Sequence, residues 1–420
     1  MLINPSFFYI AGVMNLQNVV LHLSLIEGLA PRFLHELLES FFVKNNAQEQ
    51  GSTKNLEAFY SYSLQDFISL GCSSDKAQLL IYGLQNNQRL LDELRLIEKH
   101  HASFVTIFCD EYPKLLKHID VPPLVLYYQG DVTLFAKEKT FACVGARKSH
   151  LYVSDALKSL IIPMIQDDWV IVSGGALGAD TYAHQITLDN KGKTIVVVGS
   201  GLCYQYPASN KDLFERVVYS GGLIVSTFHM EMPPETFCFP IRNRIISGLS
   251  LGCIVLQAAQ KSGALITAQC ALQQGREVFA LPGSIFDPLS VGCHDLIKQG
   301  AKLVTCTQDI LEEMLYPGKE QYEKQLTILS QEKSHENKEK KASKVIVKAS
   351  INQDKSLALG DALDLSDLSL AILHYTVTPV TAQALLTKVG VGIDLLQSKL
   401  FELSLDGKIA QDGMGFWKRV

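Results

Sequence analysis

Hydrophobic positions along this 420-residue chain change their spacing three times. Between about residues 139 and 316, short apolar runs alternate with amphipathic stretches. Runs at 141–145, 170–173, 194–199, 223–226, 252–256, 278–281 and 302–304 read as strands. Several are apolar throughout, as strands of a parallel sheet covered on both faces should be. Between them lie helical spacings, such as 156–165, with apolar residues at 156, 157, 160, 161 and 164. Asn210 is placed to cap a helix over 213–218. Strand–helix alternation of this kind predicts an α/β fold, a doubly wound, mostly parallel sheet.

The flanks are different. Segments 16–26, 32–41, 64–70, 75–81 and 84–100 have helical spacing and little strand signal, which predicts an all-α N-terminal domain over residues 1–101. Residues 102–130 (FVTIF, YPKLLKHI, PPLVLYYQG) predict an edge strand and a lead-in, so the α/β domain spans 102–316. Residues 319–348 hold eight lysines and five glutamates with few large apolar residues. That composition cannot bury enough surface to fold alone, and 317–365 reads as a charged linker. Helical spacing returns at 368–377, 382–389 and 395–405, followed by β-like runs at 408–411 and 415–420. Three helices and a hairpin predict a C-terminal winged helix over 366–420.

Composition narrows the function. The chain carries a net charge of −5, so a nucleic-acid site has to be a local basic patch. No apolar run is long enough to cross a bilayer, and the N-terminal MLINPSFFYI has no basic region before its apolar patch, so neither a membrane location nor secretion is expected. The nine cysteines are scattered, with no CxxC pair. They read as small buried hydrophobes of a protein in the reducing cytoplasm. No metal or cofactor is expected.

The candidate chemistry collects in glycine-containing turns at the carboxyl ends of the expected strands. These are Gly145-Ala146-Arg147, Ser173 to Gly178, Gly199-Ser200-Gly201, Lys261-Ser262-Gly263 and Pro282-Gly283-Ser284. In open α/β sheets the binding crevice lies along that edge, and glycine lets backbone N–H groups approach a phosphate. Arg147, Arg242, Arg244 and Lys261 are placed to share it, and paired guanidinium forks suit a polyanion. Phe239 is either core or a stacking platform for a base. The proline after it predicts an extended backbone and exposure. Asn243, between two arginines, either orients loops or meets the ligand. Asp180 and His184, at i and i+4, read as a pair hydrogen-bonded to nearby loops. The chain has no GxxxxGK[ST], which argues against a P-loop nucleotidase.

VGARKSHLYV (144–153), VSGGALGADTYAH (172–184), TIVVVGSGLCYQYP (194–207), FPIRNRIISGLS (239–250), KSGALITA (261–268), REVFALPG (276–283) and SVGCHDLIKQGA (290–301) together resemble the DNA-processing protein A family (DprA, also called Smf). The resemblance implies an extended Rossmann-like fold that binds single-stranded DNA, forms a homodimer and loads the RecA recombinase during natural transformation; with no nucleophile beside a base in 237–267, no enzyme is expected. It also implies a phosphate pocket made of Arg147, Ser173, Gly174, Gly175, Phe239, Arg242, Arg244 and Lys261, with Asn243 and Ser262 in the same stretches completing the candidate set. The chain departs from the family pattern at Thr227, Gln257 and Gln269, where Glu, Glu and Arg are usual.

Two other readings stay open. Nucleotide phosphoribohydrolases share this kind of sheet, but they need the glutamate of a PGGxGTxxE loop, and the turn here reads PGSIFDP. The protein could instead be chiefly an adaptor, with the winged helix as its protein-binding part. Residues 366–420 carry five acidic and five basic side chains, a poor balance for entering a major groove.

Overall fold

The computed structural model describes residues 15–44, 56–315, 365–378, 380–389, 391, 393–411 and 416–419. Almost all of the charged tract at 317–365 lies outside them. All seven expected strands form, within two residues of their expected ends. They are β3 (Thr140–Val144), β4 (Val170–Ser173), β5 (Thr194–Val197), β6 (Leu223–Ser226), β7 (Gly252–Val255), β8 (Glu277–Ala280) and β9 (Lys302–Leu303). The segment expected to give one edge strand gives two, β1 (Ser103–Thr106) and β2 (Val125–Gly130).

The nine described strands make one sheet in the order β1-β2-β6-β5-β4-β3-β7-β8-β9. From β6 to β9 every neighbouring pair is parallel, and β1 and β2 close one end as antiparallel strands. Chain order runs outward in opposite directions from the β3–β7 pair, so this is the topological switch point, where such sheets form their crevice.

Both faces of the sheet are buried, which explains the unbroken apolar runs. Phe141, Cys143, Ile171, Ile254 and Phe279 pack with Val153, Leu157 and Ile161 on one side. Ala142, Val144, Val172, Val196 and Val225 face the other, in a core that continues without a break into Val20, Leu37, Phe59 and Leu80 of the N-terminal helices. Those helices cover Leu16–Ser24, Pro31–Lys44, Leu64–Ser69, Ser74–Gln85 and Asn87–Lys99, with a 3-10 turn at Leu56–Ser61. The C-terminal part has helices Leu365–Tyr375, Ala382–Val389 and Ile393–Leu405. Its strands Val380–Thr381, Ile409–Gln411 and Phe416–Arg419 form a three-stranded antiparallel sheet.

Two local expectations are corrected. Phe239 is not in extended chain but in the first turn of a helix, Cys238–Gly248. A proline is tolerated there because the first N–H groups of a helix have no partner inside it. Asn210 precedes the helix Lys211–Tyr219 but does not cap it. Its Nδ2 donates instead to Gly175 O and Thr181 Oγ1, each at 2.9 Å, bracing the glycine loop after β4.

Candidate nucleic-acid interface

A cleft opens over the carboxyl ends of β5, β4 and β3. Arg147, Gly174, Ala176, Leu177, Gly199, Tyr206, Pro207, Phe239 and Arg242 line it. Its floor is the Phe239 ring. The Arg147 guanidinium carbon lies 5.1 Å from the ring centroid and that of Arg242 lies 5.9 Å away, within cation–π range. Tyr206 meets the same ring with centroids 5.9 Å apart. Two cations beside an aromatic surface offer charge for a phosphate and a face for a base.

Glycine makes this floor possible. A β-carbon on Gly174 would overlap the Arg242 guanidinium, and one on Gly199 would lie 3.0 Å from the Phe239 ring. The loop after β4 is anchored on every side. Ser173 Oγ donates to Cys143 O at 2.6 Å, Ala176 N donates to Asp180 Oδ2 at 3.3 Å, and Thr181 Oγ1 donates to Ala176 O at 2.7 Å.

Arg242 is nine-tenths buried, and its Nη1 lies 3.9 Å from Asp180 Oδ2. Burial lowers the Arg242 pKa to about 10, with Asp180 working against the shift, and the guanidinium stays charged at neutral pH. Burial pushes the Asp180 carboxyl up, and the guanidinium partly offsets this. The Arg242 Nε is buried without a hydrogen-bond partner, while the residue lines the base of the cleft. Behind it, His184 is fully buried. The Thr194 hydroxyl donates to Ile171 O, so His184 Nδ1 must donate to that hydroxyl, at 2.7 Å. Burial, with Arg242 adding to it, lowers the His184 pKa to about 3 and keeps the ring neutral. Asp180 therefore bonds the glycine loop as expected, whereas His184 bonds strand β5 rather than a loop, and Arg242 is the unforeseen partner of both.

The other expected site residues stand apart from the cleft. Gly175 turns with φ +65 and lies against Phe214 and Val196. Arg244 is buried on the opposite side of its helix, donating from Nη2 to the carbonyls of Asp120 and, at 3.0 Å, of Val121. It thereby holds Val121 at φ +46, a conformation that a β-branched residue rarely adopts. Asn243 Nδ2 donates to Gly263 O at 3.1 Å, and Ser262 Oγ caps the helix Gly263–Gln273 through Ala264 N at 3.3 Å. These two set the turn that carries Lys261, which is exposed and does not line the cleft. Ala176, Leu177, Gly199, Tyr206 and Pro207 line the cleft without belonging to the candidate set; the first three lie in glycine turns that sequence reasoning named, and Tyr206 and Pro207 do not. The aromatic–proline pair at the end of VVVGSGLCYQYP was the signal that could have found them.

The model of the family described as DNA recombination-mediator protein A matches residues 103–315, half of the chain and nearly all of the nine-stranded unit. This chain belongs to that family. The DNA processing protein DprA of Streptococcus pneumoniae is 39% identical over 277 residues, covering 64% of this chain and 95% of that protein. DprA of Bacillus subtilis is 43% identical over 210 residues, 50% of this chain and 70% of its own length. The X-ray structure of the S. pneumoniae protein superposes with a TM-score of 0.60 at 36% identity, covering 71% of this chain and 99% of that one. Membership in the family carries a role in DNA processing and recombination. Among the described residues, no helix is long and apolar enough to cross a membrane, and no group of three metal-ligating side chains occurs.

Proposed function

We propose that the chain binds single-stranded DNA along the carboxyl edge of its sheet and acts as a recombination mediator without catalytic turnover. The observation that carries this is the cleft itself, with Arg147 and Arg242 flanking the Phe239 ring over a floor cleared by Gly174 and Gly199. Unpaired strands expose both phosphates and base faces, and this cleft offers a partner to each. No carboxylate is among its lining residues, which leaves a bound phosphodiester without a general base.

The pocket read from the resemblance is thereby divided. Arg147, Gly174, Phe239 and Arg242 meet the strand, and Lys261 adds charge from outside the cleft. Ser173, Gly175, Asn243, Arg244 and Ser262 hold these residues in place. Family membership supports a homodimer built by residues 102–316 and delivery of the strand to the RecA recombinase, and the even charge balance of residues 366–420 supports a winged helix that serves partner proteins. The test is fluorescence anisotropy with single-stranded and duplex oligonucleotides at two salt concentrations. Single strands should bind more tightly with little sequence dependence, with a log–log salt slope of about −2 to −3 per protomer from three or four phosphates. Equal or tighter duplex binding would overturn the reading, and sedimentation of the full chain tests the dimer.

A further inference from the structure

The carboxyl edge does not end at the cleft. The loop after β3 that supplies Arg147 continues through exposed Lys148 and His150 into the helix Leu151–Gln166. There it meets the turn after β8. His150 Nε2 lies 3.5 Å from Asp287 Oδ1, and Tyr152 Oη donates to Pro282 O at 3.0 Å. Gln257, at the end of β7, joins the two loops by accepting from His150 N at 3.1 Å and donating to Asp287 Oδ2 at 2.9 Å. The switch point between β3 and β7 is thus bridged by a hydrogen-bonded net, with the cleft on one side and the β8 turn on the other.

That turn is well fixed. Asp287 N donates to Ser284 O at 3.1 Å and Phe286 N to Ser284 Oγ at 3.2 Å, while Asp287 accepts from Leu289 N and Ser290 Oγ, each at 3.0 Å. Yet its two corner residues, normally Gly, Asn, Asp, Ser or Pro, are Ile285 and Phe286, 78% and 89% exposed. Leu151 and Tyr152, 77% and 50% exposed, stand on the adjoining helix start. A rigid turn loses little ordering entropy when a flat partner settles on it.

We propose that Phe286, backed by Ile285 and Tyr152, is a second base-stacking platform on which a single strand leaving the cleft lays its next bases. The inference rests on the single-strand reading above and extends it. Three features favour nucleic acid as the occupant: continuity with the cleft through one loop, the exposed cations Arg147 and Lys148 along the way, and the span. From β4 to β8 is three strand spacings, about 14 Å, a distance a strand of a few nucleotides can cross.

The test uses the full chain and a ladder of oligothymidylates, from lengths that fill only the cleft upward. Phe286→Ala should weaken binding of the longer members roughly 10-fold while leaving the shortest members and the salt slope unchanged, as expected from loss of one stacked base. Phe286→Trp should keep wild-type affinity, and its emission should be quenched by long oligonucleotides and not by short ones. Wild-type binding by Phe286→Ala at every length, with Arg147→Ala impaired, would overturn this inference and leave the cleft standing. If neither substitution changes binding, the single-strand site itself is misplaced. Normal DNA binding by Phe286→Ala combined with failed delivery of the strand to a recombinase would make the turn a protein-docking surface and also overturn the proposal.

Discussion

Over β4 and β5 the carboxyl edge of the sheet presents charge on an aromatic floor. Over β7 and β8 it presents a hydrogen-bonded net, Gln257 bonded to the Asp287 carboxylate and to the His150 backbone, beneath an apolar turn. Both halves are made of glycine-containing turns at the ends of parallel strands. The difference lies in where the acid is held. In the first half Asp180 is buried beneath Arg242, keeping a cation in place without neutralising the cleft surface. In the second, Asp287 is bound by backbone and side-chain donors and serves to fix a turn. Gln257 suits that second role. A carboxylate there would face Asp287 in place of the donor that now bonds it.

The largest break in the comparison should come from Arg242. Arg242→Ala leaves Asp180 buried without its cation, and loss of one partner of a buried pair costs about 3–5 kcal/mol of stability. Chemical denaturation should show this together with loss of single-strand binding. Gly174→Ala, whose β-carbon takes the guanidinium's space, should lose binding in the same way. A wild-type denaturation midpoint for Arg242→Ala would mean that Asp180 is protonated in the fold and the pair is not ionic.

Acid should separate the halves next. His184 is neutral in the fold with a pKa lowered to about 3 from 6.5, so the unfolded chain takes up its proton first as the pH falls. Stability should therefore fall below pH 6.5, by at most about 1.4 kcal/mol per pH unit, until the folded pKa is reached. The Asp287 pKa is depressed, chiefly by the Leu289 N–H, so its contribution is complete above the ordinary carboxylate range and is lost only at lower pH. Unfolding midpoints should fall between pH 7 and 5, and His184→Gln should reduce the slope without abolishing it, because burial also lowers the pKa of His22, His35, His118 and His229. An unchanged slope in that variant would place the titration elsewhere.

Arg147 and Arg244 sharpen the contrast at a smaller scale. Arg147→Ala removes an exposed, charge-assisted contact and should cost about 1–3 kcal/mol in single-strand binding with no change in folding. Arg244→Ala should show the reverse, a comparable loss of stability from two abandoned carbonyls and little change in binding. Paired titrations and melts of the two variants check both.

That contrast also shows what the sequence could convey. The strands were legible because both faces are buried, and a continuous apolar run as short as 170–173, bounded by a glycine turn, fits a central strand better than a helix. The glycine turns and the cleft arginines were legible as a group because strand ends in such a sheet converge on one edge. The separate duties of Arg242 and Arg244 were not. Two residues apart on a helix point about 200° apart, and which of them meets the cleft is decided by packing against Asp180 and against residues 120–121, far away in the chain. For the same reason Asn210 resembled a cap. Its true partners, Gly175 and Thr181, reach it only through the fold.

Lys261 should give the smallest effect, and it decides how far the charged half extends. It stands exposed at the turn before the helix Gly263–Gln273, outside the cleft, on a loop held by Asn243 and Ser262. A solvated ammonium meeting one phosphate contributes mainly by counterion release, so Lys261→Ala should lower the magnitude of the salt slope by about 0.7, one single-strand phosphate, and cost less at higher salt. The loss should be equal for every sequence and smaller than that of Arg147→Ala, which also gives up its stack on Phe239. Salt titrations of the two variants side by side make the measurement. A Lys261→Ala loss as large as that of Arg147→Ala would mean that the strand is gripped over β7 as firmly as over β3, and the division between a cationic half and a half without cations in its net would have to be redrawn one strand further along.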